Sequence, residues 1–165
     1  MSRPADHIEV IARGLWVEGG SVLLCRSVQK GYLYLPGGHV DPGEAASEAL
    51  AREFVEETGE RVRVGGLAAV AEARFSTGKR SHHEVNLVFL VEHWSGSGSD
   101  GIPHRVESKE PDIAFEWVKL EELGDRDVRP AALKGWLAGQ VEHPSRAAET
   151  APASAAGVVW LSSAE

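Results

Sequence analysis

Apolar positions along this chain follow two rhythms, and the switch between them marks its elements. Residues 8–17 carry Ile8, Val10, Leu15, Trp16 and Val17 and end at Gly19-Gly20, which predicts a first strand, a turn and a returning hairpin strand over 21–26. A short strand over 32–35 leads into a glycine-rich loop, Pro36-Gly37-Gly38. The period then becomes helical: Leu50 and Phe54, with Ala51 further round, form an apolar flank, Glu44 sits near the first turn and Gly59 at the C-cap position. Residues 61–64 and 67–75 read as a strand broken at Gly65-Gly66, where a bulge is expected, and 76–80 as a turn. The run VNLVFLV within 84–94 is nearly all apolar, which predicts a central, buried strand. SGSGSDG, 95–101, reads as a flexible loop; a last core strand is expected over 113–120, a short helix over 121–123 and a terminal helix from about Pro130 to Gly139.

Strands outnumber helices and two helices flank them, so the expected fold class is α/β, a sandwich built on one sheet. Residues 144–156 are rich in Ala, Ser, Pro and Glu and read as a linker. The run 157–161, Gly-Val-Val-Trp-Leu, is strand-like, and a free hydrophobic strand is an aggregation liability. It is therefore expected to dock on a sheet edge of its own subunit or of a second copy in a homodimer. The expected organisation is one domain over 1–143 and a tail over 144–165.

Within the helix, Glu53, Glu56 and Glu57 stand at i, i+3 and i+4 and share one face, at the edge of the apolar flank. Carboxylates that close repel and raise one another's pKa unless a cation answers them, and Arg52, four residues before Glu56, can answer one. An oxygen-only cluster of this kind suits a hard divalent ion, above all Mg²⁺. An acidic helix that merely solvates a surface has similar composition, and the spacing of the longer stretch decides between the two. Gly38, five residues, Glu44, seven residues, then Arg52-Glu53-Phe54-Val55-Glu56-Glu57-Thr58-Gly59 resembles the Nudix box, GX5EX7REUXEEXGU. Its seven fixed positions all match, a coincidence of about one in a hundred million per window at a background of roughly one in fifteen per position. The final apolar position is Glu60 here, a departure that touches packing at the helix exit and not the carboxylates.

The resemblance covers the box closely and residues 8–140 more loosely, through strand order and the closing FEWVKLEEL. It implies an α/β/α sandwich with a mixed central β-sheet. It also implies attack of water on a phosphorus of a nucleoside diphosphate linked to another moiety, with Mg²⁺ or Mn²⁺ as cofactor. Glu56 and Glu57 are then the implied primary metal ligands, Glu53 a third ligand or the base, and the carbonyl of Gly38 or Gly37 a further oxygen. Arg52 would orient a glutamate, and Glu44 would brace the loop against the helix. Family members often add an acid from a loop before the last strand; Glu110 occupies a comparable place, with Asp112, Glu107, Glu116 and the strand residue Glu84 as rivals. His39 is a candidate for phosphate and Tyr32 for a nucleobase. His82 and His83 with Glu84 invite a zinc reading, which the opposite facing of adjacent strand residues opposes.

With 165 residues and 17.7 kDa the chain has room for one core-forming domain. Its formal charge of −8 disfavours nonspecific nucleic-acid and anionic-membrane partners, argues against RNA processing, and leaves an anionic small-molecule ligand in need of metal. Cys25 is the single cysteine, so no intramolecular disulfide forms. No apolar run follows MSRPADH and no stretch approaches the roughly 20 residues of a membrane span, so a cytoplasmic location is expected. Trp16, Trp94, Trp117 and Trp136 read as core or rim residues. Nucleoside triphosphates, oxidised ones included, ADP-ribose and nucleotide sugars all stay open as substrates. The alternative is a nucleotide-sensing module without turnover, which a lost box glutamate would signal; none is lost.

Overall fold

A computed structural model describes residues 5, 7–93, 104–139 and 158–164. The expected loop at 95–101, the linker at 144–156 and Trp94 lie outside the described residues. In chain order the elements are β1 (Glu9–Glu18), β2 (Ser21–Ser27), β3 (Leu33–Tyr34), β4 (Gly37–His39), α1 (Ala46–Thr58), β5 (Val62–Thr77), β6 (Arg80–His93), β7 (Ile113–Lys119), a 3-10 turn (Leu120–Asp125), α2 (Ala131–Gly139) and β8 (Val159–Ala164).

β1 is the spine. Along one edge it runs parallel to β6, from Glu9 opposite Glu84 to Trp16 opposite Val91. Along the other it meets β4 antiparallel at residues 11–13 and β2 at Val17 and Glu18. The expected hairpin is thus only two residue pairs long, and β2 instead pairs along its whole length with β7, Ser21 opposite Lys119 through Ser27 opposite Ile113. The glycine stretch, expected as loop, is partly a strand: Ala12 faces Gly38 and Arg13 faces Gly37. A Cβ on Gly37, whose φ is +126°, would stand 2.1 Å from the Ala12 carbonyl, so only glycine admits this close approach.

β5 and β6 form a long hairpin whose register shifts between Val64, Leu67 and Ala69, where the bulge was expected. Thr77 still pairs with Arg80, so the turn is tighter than the 76–80 reading. β8 lies parallel to β5 on its free side, Ala69 opposite Val159 through Arg74 opposite Ala164. Parallel and antiparallel pairs therefore mix in one sheet, ordered β3-β2-β1-β6-β5-β8.

Strand alternation gives each face its own core. Ala12, Trp16, Leu23 and Val91 pack with Ala49, Leu50 and Phe54 of α1, and Gly14 lets the Phe54 ring approach β1, since a Cβ there would lie 2.7 Å from it. Leu15, Val22, Leu24, Ala69, Ala71 and Val88 pack with Leu133 and Leu137 of α2. This explains the nearly continuous apolar run of β6: Val88 and Leu90 serve one core, Phe89 and Val91 the other. Trp16 is buried, and Trp117 and Trp136 pack at the margins of the two cores.

Candidate active site

The box helix begins at Ala45, which offers no side-chain cap, so the carboxylate of Glu48 accepts from its N–H at 3.4 Å. It ends in Gly59, left-handed with φ +79°, whose N–H donates to the Val55 carbonyl at 2.9 Å. Over this helix the three glutamates fall on a gradient of exposure. Glu56 is 54% exposed and Glu53 17% by side chain, whereas Glu57 is 6% exposed and lies with Leu50 and Phe54 on the packed side. The expectation that all three converge at the edge of the apolar flank is corrected for Glu57, which β4 covers through Gly37.

Arg52 does more than answer one carboxylate. It donates to both Glu44 oxygens at 2.9 and 3.0 Å, to Glu53 Oε1 at 2.9 Å, to Glu56 Oε2 at 3.3 Å and to the His39 carbonyl at 3.2 Å. The fork on Glu44 holds that carboxyl below its ordinary value, burial opposing slightly. Glu44 in turn accepts from the Asp41 N–H at 3.3 Å, so it ties the loop to the helix. A Cβ on Gly38 would meet the Glu53 carboxyl carbon at 2.4 Å; the bare backbone there leaves room for the carboxylate.

Burial, and next to it the charge of Glu53, pushes the Glu57 carboxyl from 4.5 up to about 7; Arg13 and the Gly37 N–H pull the other way and the charge of Glu110 adds to the rise. Glu57 Oε2 is buried and has no hydrogen-bond partner among the described residues. An unpartnered buried carboxylate oxygen costs stability and calls for a cation. Glu110 reaches Glu57 through its loop: the Lys109 N–H donates to the Glu57 carbonyl at 2.7 Å and the Lys109 side chain lies across Gly59.

The rivals of Glu110 are engaged elsewhere. Asp112 accepts from Gln29, Glu107 pairs with Arg105 at the surface, and Glu116 sits between Arg126 and Arg26. Glu84 accepts from Asn86 at 3.3 Å. His39 is exposed, its Nε2 3.4 Å from Glu9. Tyr32 lies under the Arg129 guanidinium, 4.6 Å from its ring centroid, and beside Tyr34 at 5.8 Å. His82 meets Glu9 while its neighbour His83 meets Glu72, so the strand does part the two histidines.

Three residues bear on the site without having been singled out in the sequence. Arg13 donates to the Asn86 Oδ1 at 3.0 Å and to the carbonyls of Leu35 and Gly37 at 3.2 Å, and stacks 5.4 Å over Tyr34. Asn86 is fully buried. The Tyr34 hydroxyl is pushed above its ordinary value, first by burial, with the charge of Glu57 adding to the rise. The signals were present: an arginine inside the apolar Ile11–Leu15 run and an asparagine inside VNLVFLV, each a polar group that burial tolerates only with partners.

The donor set fits a hard divalent ion: carboxylates of three glutamates beside bare glycine backbone, one oxygen orphaned and buried. The sequence model of the NUDIX domain matches residues 6–138. The nucleoside triphosphatase NudI of Klebsiella pneumoniae subsp. pneumoniae is 33% identical over 132 residues, covering 72% of this chain and 90% of that protein. Among solved structures, a MutT protein from Methanosarcina mazei Go1 superposes with a TM-score of 0.63 at 24% identity, covering 88% of this chain and 99% of its own. A MutT protein from Bacillus halodurans gives 0.66 at 18%, covering 94% and 89%. Box, layer order and family match coincide on the same residues, and the chain belongs to the Nudix hydrolase family.

Proposed function

We propose that the protein hydrolyses a phosphoanhydride bond in a nucleoside diphosphate linked to another moiety, with nucleoside triphosphates as the first class to test, given the relative named as a nucleoside triphosphatase. ADP-ribose and nucleotide sugars complete the candidate set. The observation that carries the reading is Glu57, buried, with one oxygen unpartnered, beside Glu53 and within the field of Glu110.

Glu53, Glu56 and Glu57, with a backbone carbonyl at Gly38, would hold Mg²⁺ or Mn²⁺. Such an ion, when bound, offsets the charge of the diphosphate and acidifies water. Arg52 fixes one oxygen of Glu53 and one of Glu56, a positioning role, so neither carboxylate swings freely. Glu53, held against Gly38, serves either as a third ligand or as the base that takes the proton of the attacking water, as the phosphorus–oxygen bond of the anhydride breaks and the leaving phosphate departs with its electron pair. Arg13 holds the carbonyl of Leu35, just before β4, and that of Gly37, its first residue, and so sets where Gly37 meets Glu57. Glu110 acts as a further acid facing the site, His39 contacts phosphate from the exposed end of β4, and Tyr32 lies toward the base. The catalytic domain is residues 1–143, placed in a reducing cytoplasm where Cys25 stays a buried thiol. The 144–165 tail adds β8 to the sheet of its own subunit, and a homodimer would use the face that β8 presents.

The test is nucleotide or phosphate release from a panel of these substrates with and without Mg²⁺, beside Glu57→Gln. Metal-dependent turnover of one class, lowered by about a hundredfold or more in the variant, is the expected result. Silence across the panel with tight nucleotide binding by calorimetry would replace the enzyme reading with that of a sensor.

A further inference from the structure

Where the box pattern asks for an apolar residue, Glu60 instead places a carboxylate between two histidines. His93, the last residue of β6, has Nε2 3.2 Å from Glu60 Oε2, and His104 has Nε2 3.8 Å from Glu60 Oε1. The three ligand atoms all lie within 4.8 Å of one another. His104 Nε2 is buried and has no hydrogen-bond partner among the described residues, since 3.8 Å is beyond hydrogen-bond reach. That orphaned nitrogen carries a desolvation cost which an ion at the centre of the three side chains would remove.

The surroundings hold these side chains in place. Trp16, itself buried, lies 6.1 Å from the His93 ring and 5.4 Å from the His104 ring. Trp117 donates from Nε1 to the His104 carbonyl at 2.7 Å, and Val62 pairs with His93 across the β5–β6 ladder, fixing the strand end two residues beyond Glu60. Two imidazoles and one carboxylate are a donor set for zinc rather than magnesium, which asks for oxygen throughout. Tetrahedral ligands with bonds of about 2.0–2.2 Å stand roughly 3.3–3.5 Å apart; His93 Nε2 already lies 3.2 Å from Glu60 Oε2, and one ligand atom from each residue falls within 4.8 Å of the others.

We infer that Glu60, His93 and His104 form a zinc site separate from the box carboxylates, with water completing a four-coordinate ion. Its role is that of a clip. His93 and His104 bracket residues 94–103, so one ion fixes both ends of that connection, and it ties them to the exit of α1. The stretch that begins at His104 also carries Glu110, so the clip holds the chain leading to that acid against the helix that bears Glu57.

The experiment is zinc titration of the metal-stripped full chain by calorimetry and thermal denaturation, in the wild type and in Glu57→Gln, where binding at the box is weakened. Expected are one zinc per chain, a raised melting temperature and altered tryptophan fluorescence, all kept in Glu57→Gln. Glu60→Leu, which restores the apolar residue of the box pattern, and His104→Ala should each weaken zinc binding by about a hundredfold or more. In zinc-free buffer with Mg²⁺, Glu60→Leu should hydrolyse at the wild-type rate, since neither protein then carries the clip. Cobalt in place of zinc should give tetrahedral absorption bands in Glu57→Gln that Glu60→Leu lacks. Unchanged zinc affinity in either folded variant, or no zinc uptake by the folded wild type, overturns the site; should Glu60→Leu not fold, His104→Ala decides.

Discussion

Glu57 gives the metal-stripped protein a pH-dependent stability that one substitution should abolish. Its carboxyl titrates at about 7 in the folded chain against 4.5 in the open one. Between those values the folded state holds a proton that the unfolded chain has released, so stability falls as pH rises through that window. The contribution is whole below about pH 4.5 and gone above about pH 7. A difference from 4.5 to about 7, at 1.36 kcal/mol per unit, comes to about 3 kcal/mol. Gln at this position keeps the size and an oxygen to accept from Gly37, and it does not ionise. Urea denaturation of wild type and Glu57→Gln in chelator, from about pH 5 to about pH 8, should therefore show the stability difference moving by about 2.5 kcal/mol in favour of the variant, most of the full shift. Millimolar Mg²⁺ at the upper end should restore the wild type and leave the variant unmoved. A difference that stays flat with pH would mean that Glu57 is already neutralised by Arg13, and the reasoning from its unpartnered oxygen would fall.

Arg52→Lys loses the planar fork that meets Glu44, Glu53, Glu56 and the His39 carbonyl, so kcat should drop about ten- to a hundredfold, with the melting temperature nearly kept; a rate near wild type would remove its positioning role. Gly37→Ala and Gly38→Ala should differ in kind. At Gly37 the new Cβ meets the Ala12 carbonyl at φ +126°, which should cost about 3 kcal/mol of stability in denaturation. At Gly38 it meets the Glu53 carboxyl, so activity should fall while the fold holds, and an active Gly38→Ala would show that Glu53 need not lie there.

The parts of this fold that were legible in the sequence are those set by local signals. The α1 boundaries follow from glycine and from period, and the bulge from Gly65-Gly66. What stayed hidden depends on partners distant in the chain. That β2 pairs with β7 and not mainly with β1 is decided by how the sheet closes, and no pattern inside residues 21–27 reports it. Gly37-Gly38 read as loop because two glycines weaken a strand, yet here they let β4 press against β1 and α1. The same division runs through the site. Spacing pointed to the glutamates and to Arg52, but spacing places Glu57 at an edge, whereas β4 buries it. Arg13 and Asn86 each stood out as a polar residue in an apolar run, but that they meet across β1 and β6 is something no local pattern reports.

The parallel pairing of β1 with β6 also sets an order of assembly. Glu9 faces Glu84, and every pair in that ladder is separated by the same 75 positions (84 − 9), whereas β5 and β6 meet across a two-residue turn. The hairpin can form within microseconds from neighbouring chain, while β1 must wait for a long closure that costs entropy before any contact repays it. Arg13 reaches Asn86 only when that closure is complete. Recovery of hydrolysis during refolding should therefore lag behind protection of the β5–β6 amides, and simultaneous recovery would contradict this order. The contact that ties β1 to β6 at the site is thus among the last to form, and every form that precedes it lacks the Arg13 anchor of Gly37.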